Sequence, residues 1–494
     1  MGKGLSERPP TARRRVVVVG AGLAGLAAAL QARLEGASVV VLEKTDEARS
    51  GGNTRLAGGT IAVPCGSGPW EKAAYVEDLV AKAGGRCNRE VVEVLAANAL
   101  DDLSWLGAHG ARFDPATPIA PYRVNAAHIA PAQFVGMPAF LDALRSSFLS
   151  MDGAIAHETK AKQLILSGQG RICGVRAVDR DGVVDYLADS TVLATGGYAA
   201  NRELLESFVD PNAGAMVLRG ASWLTGDGLL MAREIGAGLT HMGGLASLHV
   251  AAVSPENPRY GIPDHAVPYC LSVNLEGRRF HDESRGYVAN GKALLRQPAQ
   301  RAALVFDEKI KQQPRVSKSL ATFRRLGLPV IEADSLAELA SRMNVPPARF
   351  LRTIEEFNAA VEDGRALSAD PPKAALAYKV MTPRFYAFCP LIPGITSTFG
   401  GLMINSDAQV LEADGRILPG LYAAGEVTGG LFCDDYIGGS ALANCMVMGR
   451  RAGARATGRS AGPDATVRSV PEQQGALEHV GLGSDVLLRQ NRPG

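Results

Sequence analysis

The sequence is short of most features that assign a function from composition alone. Its seven cysteines (65, 87, 173, 270, 389, 433, 445) form no C-x-x-C pair and no C-x-x-C-H run. That removes the signatures of covalent haem, iron–sulfur clusters and zinc, and it fits a reduced compartment, so a cytoplasmic location is expected. The eight histidines and the scattered acidic residues show no metal-ligand spacing. Charge of one sign is also missing: 52 Lys and Arg against 50 Asp and Glu leave a net charge of +2. A nucleic-acid binder usually shows a concentrated basic face, and none is visible here. The densest charge, Arg13-Arg14-Arg15, reads as a solvated tail entering a strand. An export signal is the rival reading, because no charge follows from Val16 to Gln31. That stretch is shorter than the roughly 20 residues a membrane helix needs. Internal repeats of 20–50 residues and low-complexity blocks are absent. What the chain has in surplus is glycine, 56 of 494 residues, against a usual share of about 7%. Glycines in such number are expected at tight turns, close helix–strand contacts and places where backbone approaches a ligand.

Val16-Val17-Val18-Val19 reads as a buried parallel strand. Gly20-Ala21-Gly22-Leu23-Ala24-Gly25 follows at once. Leu23, Leu26, Ala27, Leu30 and Leu34 then recur at helical spacing, and Gly36 closes the helix. Ser38 to Leu42 is a second apolar run, ending at Glu43. This β–α–β unit gives the G-x-G-x-x-G pattern its meaning. The first glycine allows the tight turn, the second lets backbone approach a pyrophosphate, and the third allows close helix–strand packing. Glu43, 18 residues past Gly25, stands where a carboxylate accepts hydrogen bonds from a ribose, which argues against a 2′-phosphate. No second fingerprint exists, so a nicotinamide site has no support. Residues 71–150 read mostly as helices, Ile165 to Tyr186 as strands, and residues 240–375 as an irregular, proline-rich insertion.

Three further stretches favour FAD: Ser50-Gly51-Gly52-Asn53-Thr54-Arg55-Leu56-Ala57-Gly58-Gly59, Ala194-Thr195-Gly196-Gly197, and Leu418 to Glu426 followed by Gly438-Gly439-Ser440-Ala441-Leu442. In this order the motifs resemble the flavoprotein superfamily of fumarate reductase and succinate dehydrogenase. Tricarballylate dehydrogenases, urocanate reductases and 3-ketosteroid dehydrogenases belong to it. The resemblance runs from about Arg15 to Ala456. It implies an α/β fold: a Rossmann-type FAD-binding domain, with a parallel sheet and helices, and an inserted α+β capping domain for substrate. The expected boundaries are 14–238 and 379–460 for the FAD-binding domain and 239–378 for the cap, with a loose tail over 461–494. It further implies that Gly20, Gly22, Ala24, Gly25, Glu43 and Lys44 hold the pyrophosphate and adenosine end. Gly52, Asn53, Thr54, Gly58 and Gly59 run beside the isoalloxazine. Thr195, Gly196 and Asp227 are further cofactor positions, and Gly425 and Glu426 the late ribityl contact. Ser440, Ala441 and Leu442 would start a helix aimed at the flavin's pyrimidine edge, where a helix N-terminus stabilises negative charge; Ser440 reads equally as a plain N-cap. Asn53 stands about where membrane-bound relatives attach FAD covalently through histidine, so non-covalent FAD is expected.

On the substrate side the resemblance implies that His249 contacts substrate. Asn274 to Glu283 resembles the family's N-x-x-G-x-R-F-x-x-E run. Glu283 then serves a proton path or anchors Arg279. Tyr287 stands near the tyrosine that abstracts a proton in ketosteroid dehydrogenases, with Arg285 as the cation that lowers its pKa. Departures from the fumarate reductases are plain. Their histidine before Thr-x-Gly-Gly is Ser397 here, and their arginine before the late Gly-Gly is Tyr436. After Phe306-Asp307 this chain offers Lys309 and Lys311 in place of their catalytic arginine. Three groups that clamp a dicarboxylate are thus changed, which disfavours fumarate itself. The expected chemistry is oxidation or reduction of a CH–CH bond beside a carbonyl or carboxylate, with Tyr287 moving the proton and His249 and Tyr436 as donors to the oxygen. Residues 430–440 bring a tricarballylate dehydrogenase-like enzyme to the front. An enzyme of an apolar ketone, as in the ketosteroid dehydrogenases, is the alternative, and a non-catalytic flavin redox sensor a further one. The electron donor or acceptor is not identified.

Overall fold

A computed structural model describes residues 13–119, 121–130, 136–252, 261–263 and 265–458, with residues 246–252 described by their backbone alone. The tail expected over 461–494 lies outside the described residues.

Strand β1 (Arg15–Val19) buries all four valines, as a central parallel strand does. It pairs in parallel with β2 (Ser38–Leu42) on one side and with Ser190–Leu193 on the other. The six-stranded sheet runs Gln409–Leu411, Ile417–Ala423, Ser190–Leu193, β1, β2, Ala154–Ala156, antiparallel only at the Gln409–Leu411 edge. Helix α1 (Leu23–Leu34) is buried along Leu23–Ala32, because it lies between the sheet and a late helix, Ser440–Ala456. Small residues set that second contact. A Cβ on Gly449 would come within 2.5 Å of the Ala24 carbonyl oxygen, and one on Gly453 within 2.1 Å of that of Ala28. The two helices therefore touch backbone to backbone.

A second apolar cluster runs from Ala266 to Leu391. It is built on the strands Leu271–Asn274, Ala302–Asp307, Val330–Ala333 and the first half of Phe385–Thr398, with the helices Pro314–Arg325 and Pro347–Ala360 around them. The strand Phe385–Thr398 joins the two cores: Phe385, Tyr386, Ala387, Phe388 and Leu391 are buried in the second, Ile395 in the first. An expected boundary at 378/379 assigns Phe385–Leu391 to the nucleotide-binding side. Pairing with Ala302–Asp307 and Val330–Ala333 puts these residues in the second core instead.

Within 71–150, helices Pro69–Lys82, Arg89–Ala108 and Gly136–Leu149 match the expected helical reading. Two strands also fall there, Phe113–Pro118 and Val124–Ile129, in a three-stranded antiparallel sheet with Thr60–Pro64. Prolines 115 and 118 and short length leave little period-two signal to read. Among the described residues no helix is long and apolar enough to cross a membrane.

Candidate active site

The carboxyl ends of β1, β2 and Ser190–Leu193 open on one cavity of about 1140 Å³, lined from both cores. Ordinary small-molecule pockets span about 300–1,000 Å³, so this one has room for a cofactor and a substrate together.

At the sheet end the backbone dictates the shape. Gly20 has φ +106°, and a Cβ there would lie 2.3 Å from the Ala194 carbonyl oxygen. A Cβ on Gly25 would lie 1.8 Å from the Gly20 carbonyl oxygen. Gly22 is the N-cap of α1, and the Leu23 N–H donates to Thr54 Oγ1 at 3.1 Å. The Glu43 carboxylate accepts the Ala21 N–H at 3.0 Å and both the N–H and hydroxyl of Thr45 at 2.9 Å. A carboxylate offers about four lone-pair sites, so one remains for a sugar hydroxyl. Lys44 and Asp227, far apart in sequence, meet in an ion pair of 2.6 Å, with Lys160 at 3.3 Å. Burial alone would raise the Asp227 carboxyl. The Lys44 hydrogen bond and the two ammonium charges outweigh it and hold the group below its usual range.

Midway, Asn53 and Glu426 form one network. Asn53 Nδ2 donates to the Thr396 carbonyl and to Glu426 Oε2, both at 2.9 Å, and its Oδ1 accepts the Ala221 N–H. Glu426 Oε1 accepts the Thr398 N–H at 3.0 Å. Burial pushes the Glu426 carboxyl up to about 7 against the hydrogen bonds from Thr398 and Asn53. Ser440 is fully buried, but its hydroxyl donates back to the Ile437 carbonyl at 2.5 Å and caps nothing. The plain N-cap reading of Ser440 is thereby corrected: Gly439 is the cap. Ala441 and Leu442, in the first turn of that helix, line the cavity, and first-turn N–H groups have no partner within their own helix.

At the far end the walls are side chains. Phe399, Phe432 and Tyr436 pack on each other with centroids 5.2, 5.5 and 5.8 Å apart. Tyr287 and His265 meet edge to face at 6.4 Å. Arg285 lines the cavity beside Tyr287.

Of the residues expected around the cofactor, Gly20, Gly22, Ala24, Glu43, Lys44, Gly52, Asn53, Thr54, Gly58, Thr195, Gly196, Asp227, Gly425, Glu426, Ala441 and Leu442 line the cavity; Gly25, Gly59 and Ser440 stand behind it. On the substrate side Tyr287, Arg285 and Tyr436 line it. Glu283 does not. Its carboxylate is fully buried between Arg279 at 2.8 Å and Lys373 at 3.7 Å, and it accepts the Ser272 N–H at 2.8 Å. That is the anchoring alternative, not a proton path to the cavity. His249 lies on the strand Leu245–Ala252 opposite Gly394, and its side chain is outside the described residues. Lys311 pairs with Glu308 and Tyr386 away from the cavity, while Arg315, four residues on, lines it. Sequence reasoning passed over Arg315, Arg219, Trp223 and His265. Only Trp223 carried a signal, its place just before Thr225-Gly226-Asp227-Gly228.

Two observations test whether a nucleotide cofactor fits. Gly58 and Gly438 have no positive φ, and an added Cβ meets no protein atom within 4 Å, yet both border the cavity. Glycine there serves something that occupies the cavity. Thr195 Oγ1, Trp223 Nε1 and Asn444 Oδ1 are buried, line the cavity and have no hydrogen-bond partner among the described residues. Buried polar atoms are ordinarily satisfied, so a polar ligand is the partner they lack. The residues fit.

A dinucleotide-type fold whose strand ends open on one cavity, walled on its other side by side chains, is the frame of an enzyme with a nucleotide cofactor. The chain belongs to the FAD binding domain family, which matches residues 15–441. It is 31% identical over 458 residues to a probable fumarate reductase of Shewanella frigidimarina, covering 90% of this chain and 75% of that one. A flavocytochrome c3 fumarate reductase in an open conformation superposes with a TM-score of 0.71 at 28% identity, over 91% and 79% of the two chains. A 3-ketosteroid-Δ4-(5α)-dehydrogenase from Rhodococcus jostii shares the fold with a TM-score of 0.72 at 24% identity, over 91% and 98%. The chain spans only about half the length of two longer relatives. The protein is an FAD-dependent oxidoreductase of the superfamily whose members act on CH–CH bonds.

Proposed function

We propose that this enzyme transfers hydrogen across a CH–CH bond next to a carbonyl or carboxylate, with FAD held non-covalently at the sheet end of the cavity. One observation carries the reading: Tyr287 from the second core and Tyr436 from the first line the same cavity as the fingerprint glycines and the first turn of the late helix. The hydride would be supplied or accepted by FAD when bound. This chain's residues do the rest. Tyr287 exchanges the proton on the neighbouring carbon, and Tyr436 donates to the oxygen on which enolate-like charge develops. The glycine-shaped backbone and Glu43 hold the adenosine diphosphate end. The Asn53 side-chain amide is engaged with Thr396, Glu426 and Ala221 and is no nucleophile for a covalent link.

Of the finer readings, a tricarballylate-type substrate calls for several cations converging on the chamber, and an apolar ketone for few. Lys44 and Lys160 share Asp227, and Lys82 pairs with Asp435 at 2.5 Å, while Arg219, Arg285 and Arg315 also line the cavity. The aromatic wall favours an apolar body on the substrate. The seven unbridged cysteines support a cytoplasmic setting; the electron partner stays open.

The test is anaerobic. Oxidised enzyme is mixed with saturated acids and ketosteroids, dithionite-reduced enzyme with their unsaturated counterparts, and the flavin band is followed. Bleaching or recovery with at least one compound is expected. A flavin silent towards every compound overturns the proposal.

A further inference from the structure

Ser272 lies in the strand Leu271–Asn274, at the edge of the second core's sheet, and has no exposed surface. A buried serine has to satisfy both its backbone N–H and its hydroxyl. Here the two go to opposite ends of one segment. The N–H donates to Glu283 Oε1 at 2.8 Å, and the hydroxyl donates to Asn290 Oδ1 at 2.6 Å. Glu283 and Asn290 are themselves buried. The stretch between them is an arch with both feet on a single residue. Its crown faces the cavity: Ser284, Arg285, Gly286, Tyr287 and Val288 all line it.

The two feet do different work. Glu283 is also gripped by Arg279 at 2.8 Å, with Lys373 at 3.7 Å, so that end is anchored several times over. Between it and Tyr287 stands Gly286, with φ +90°, joining the short turn Glu283–Arg285 to the helix Tyr287–Leu294. Glycine is free to adopt many backbone conformations, so the direction of the helix start has to be fixed from the other side. Asn290, one turn beyond Tyr287 on the same helix, is the residue that Ser272 holds there.

We propose that Ser272 is a positioning residue of the reaction: through Asn290 it sets where the Tyr287 hydroxyl stands in the cavity. The proposal rests on the reading of Tyr287 as the group that exchanges the proton. Proton transfer needs heavy atoms within about 2.6–3.2 Å, and a misplacement of about 1 Å can cost on the order of 10²-fold in rate. A hydroxyl buried on a strand holds such a position because its own surroundings are packed and cannot yield.

The experiment uses the full-length FAD-loaded enzyme, reduced anaerobically with dithionite. It is mixed with fumarate, cis-aconitate or 4-androstene-3,17-dione, and flavin reoxidation is followed. Ser272→Ala keeps the N–H to Glu283 and removes only the hydroxyl. It is expected to lower the saturating rate about tenfold, with the half-saturation concentration and the FAD content within about twofold of wild type. Ser272→Thr keeps the hydroxyl and should recover most of the loss. Ser272→Cys is close in size but a weak donor and should not. Asn290→Ala breaks the same contact from the other side and should lower the rate alike. In a Tyr287→Phe background, Ser272→Ala should lower the rate no further, which a general loosening of the fold would not reproduce. Independently of turnover, amide hydrogen exchange over residues 287–290 should quicken in Ser272→Ala. A wild-type saturating rate in Ser272→Ala and Asn290→Ala, unchanged exchange, or a full-sized loss in the Tyr287→Phe background overturns this proposal and leaves the CH–CH reading intact. Loss of FAD or of the folded state in both variants assigns the contact to stability and overturns it too. Tyr287→Phe as fast as wild type removes the proton-exchange role and this proposal together. A flavin silent towards all three compounds overturns the CH–CH reading as well.

Discussion

The two ends of the cavity are built on different principles. The sheet end is shaped by backbone: Gly20, Gly22 and Gly25 sit within six residues of one another, and their constraints are steric contacts with Ala194, Gly51 and Gly20 itself. The far end is shaped by side chains delivered from distant places, Tyr287, Arg315, Phe399 and Tyr436 among them. A backbone-shaped site tolerates almost no substitution and binds one kind of ligand. A side-chain-shaped site can be re-lined residue by residue while the frame stays. The sequence resemblance implies that the glycine turns keep the superfamily's pattern and that Ser397 and Tyr436 stand at positions of its dicarboxylate clamp. Cofactor and substrate are thus specified by separable parts of one cavity.

That separation can be broken or sharpened by experiment. The largest effect belongs to Gly25→Val. With a Cβ 1.8 Å from the Gly20 carbonyl oxygen, the purified protein should carry essentially no FAD by absorbance ratio; normal flavin content would refute a backbone-shaped sheet end. Next is Glu283→Ala, which leaves Arg279 and Lys373 buried without their carboxylate. Burial already pulls the Lys373 ammonium below its usual pKa despite Glu283. Losing that partner should cost about 3–5 kcal/mol in denaturant unfolding. A stable variant with abolished turnover would instead revive the proton-path reading. Third, Tyr287→Phe should lower substrate-dependent flavin reduction by about 10²- to 10⁴-fold with FAD content unchanged; reduction as fast as wild type removes Tyr287 as the proton-transfer residue. The smallest effect lies at Glu426, in the lining of the same cavity. Burial raises the Glu426 carboxyl from 4.5 to about 7 in the folded protein. The folded state therefore holds a proton that the unfolded chain releases above about 4.5. Stability is full below that pH and falls as pH rises towards 7, by about 3 kcal/mol in all. Glu426→Gln should flatten the slope of thermal unfolding against pH across that window, and an unchanged slope would assign it to other groups.

Legibility in the sequence follows the same division. The β–α–β unit was readable because strand, turn and helix lie within about 30 residues, and local sterics demand glycine at fixed offsets. The Lys44–Asp227 pair was half readable: both residues belonged to recognised stretches, but their meeting depends on the sheet order. The three-stranded sheet around Val124–Ile129 was not readable, since short strands with prolines carry little periodicity. Arg315 was hidden for another reason. It sits in the first turn of Pro314–Arg325, on a helix whose charged residues look alike in sequence, and only the packing of Val316, Leu320 and Phe323 into the second core decides which of them reaches the cavity. Glu283 shows the converse. Its motif drew attention to a carboxylate, and burial with Arg279 and Lys373 assigned it to architecture.

The contact of Gly449 and Gly453 with Ala24 and Ala28 has a metrological side. Two helices touching at backbone level cannot slide without collision, so their N-terminal ends, one at Gly22 and one at Gly439, are held at a fixed gap. Both ends carry first-turn N–H groups with no partner inside their own helix, and a partial positive charge; the Leu23 N–H is taken by Thr54 Oγ1 and that of Ser440 by the Ile437 carbonyl. Substituting Gly449 or Gly453 would therefore shift one helix start against the other, and with it the residues each contributes to the cavity lining.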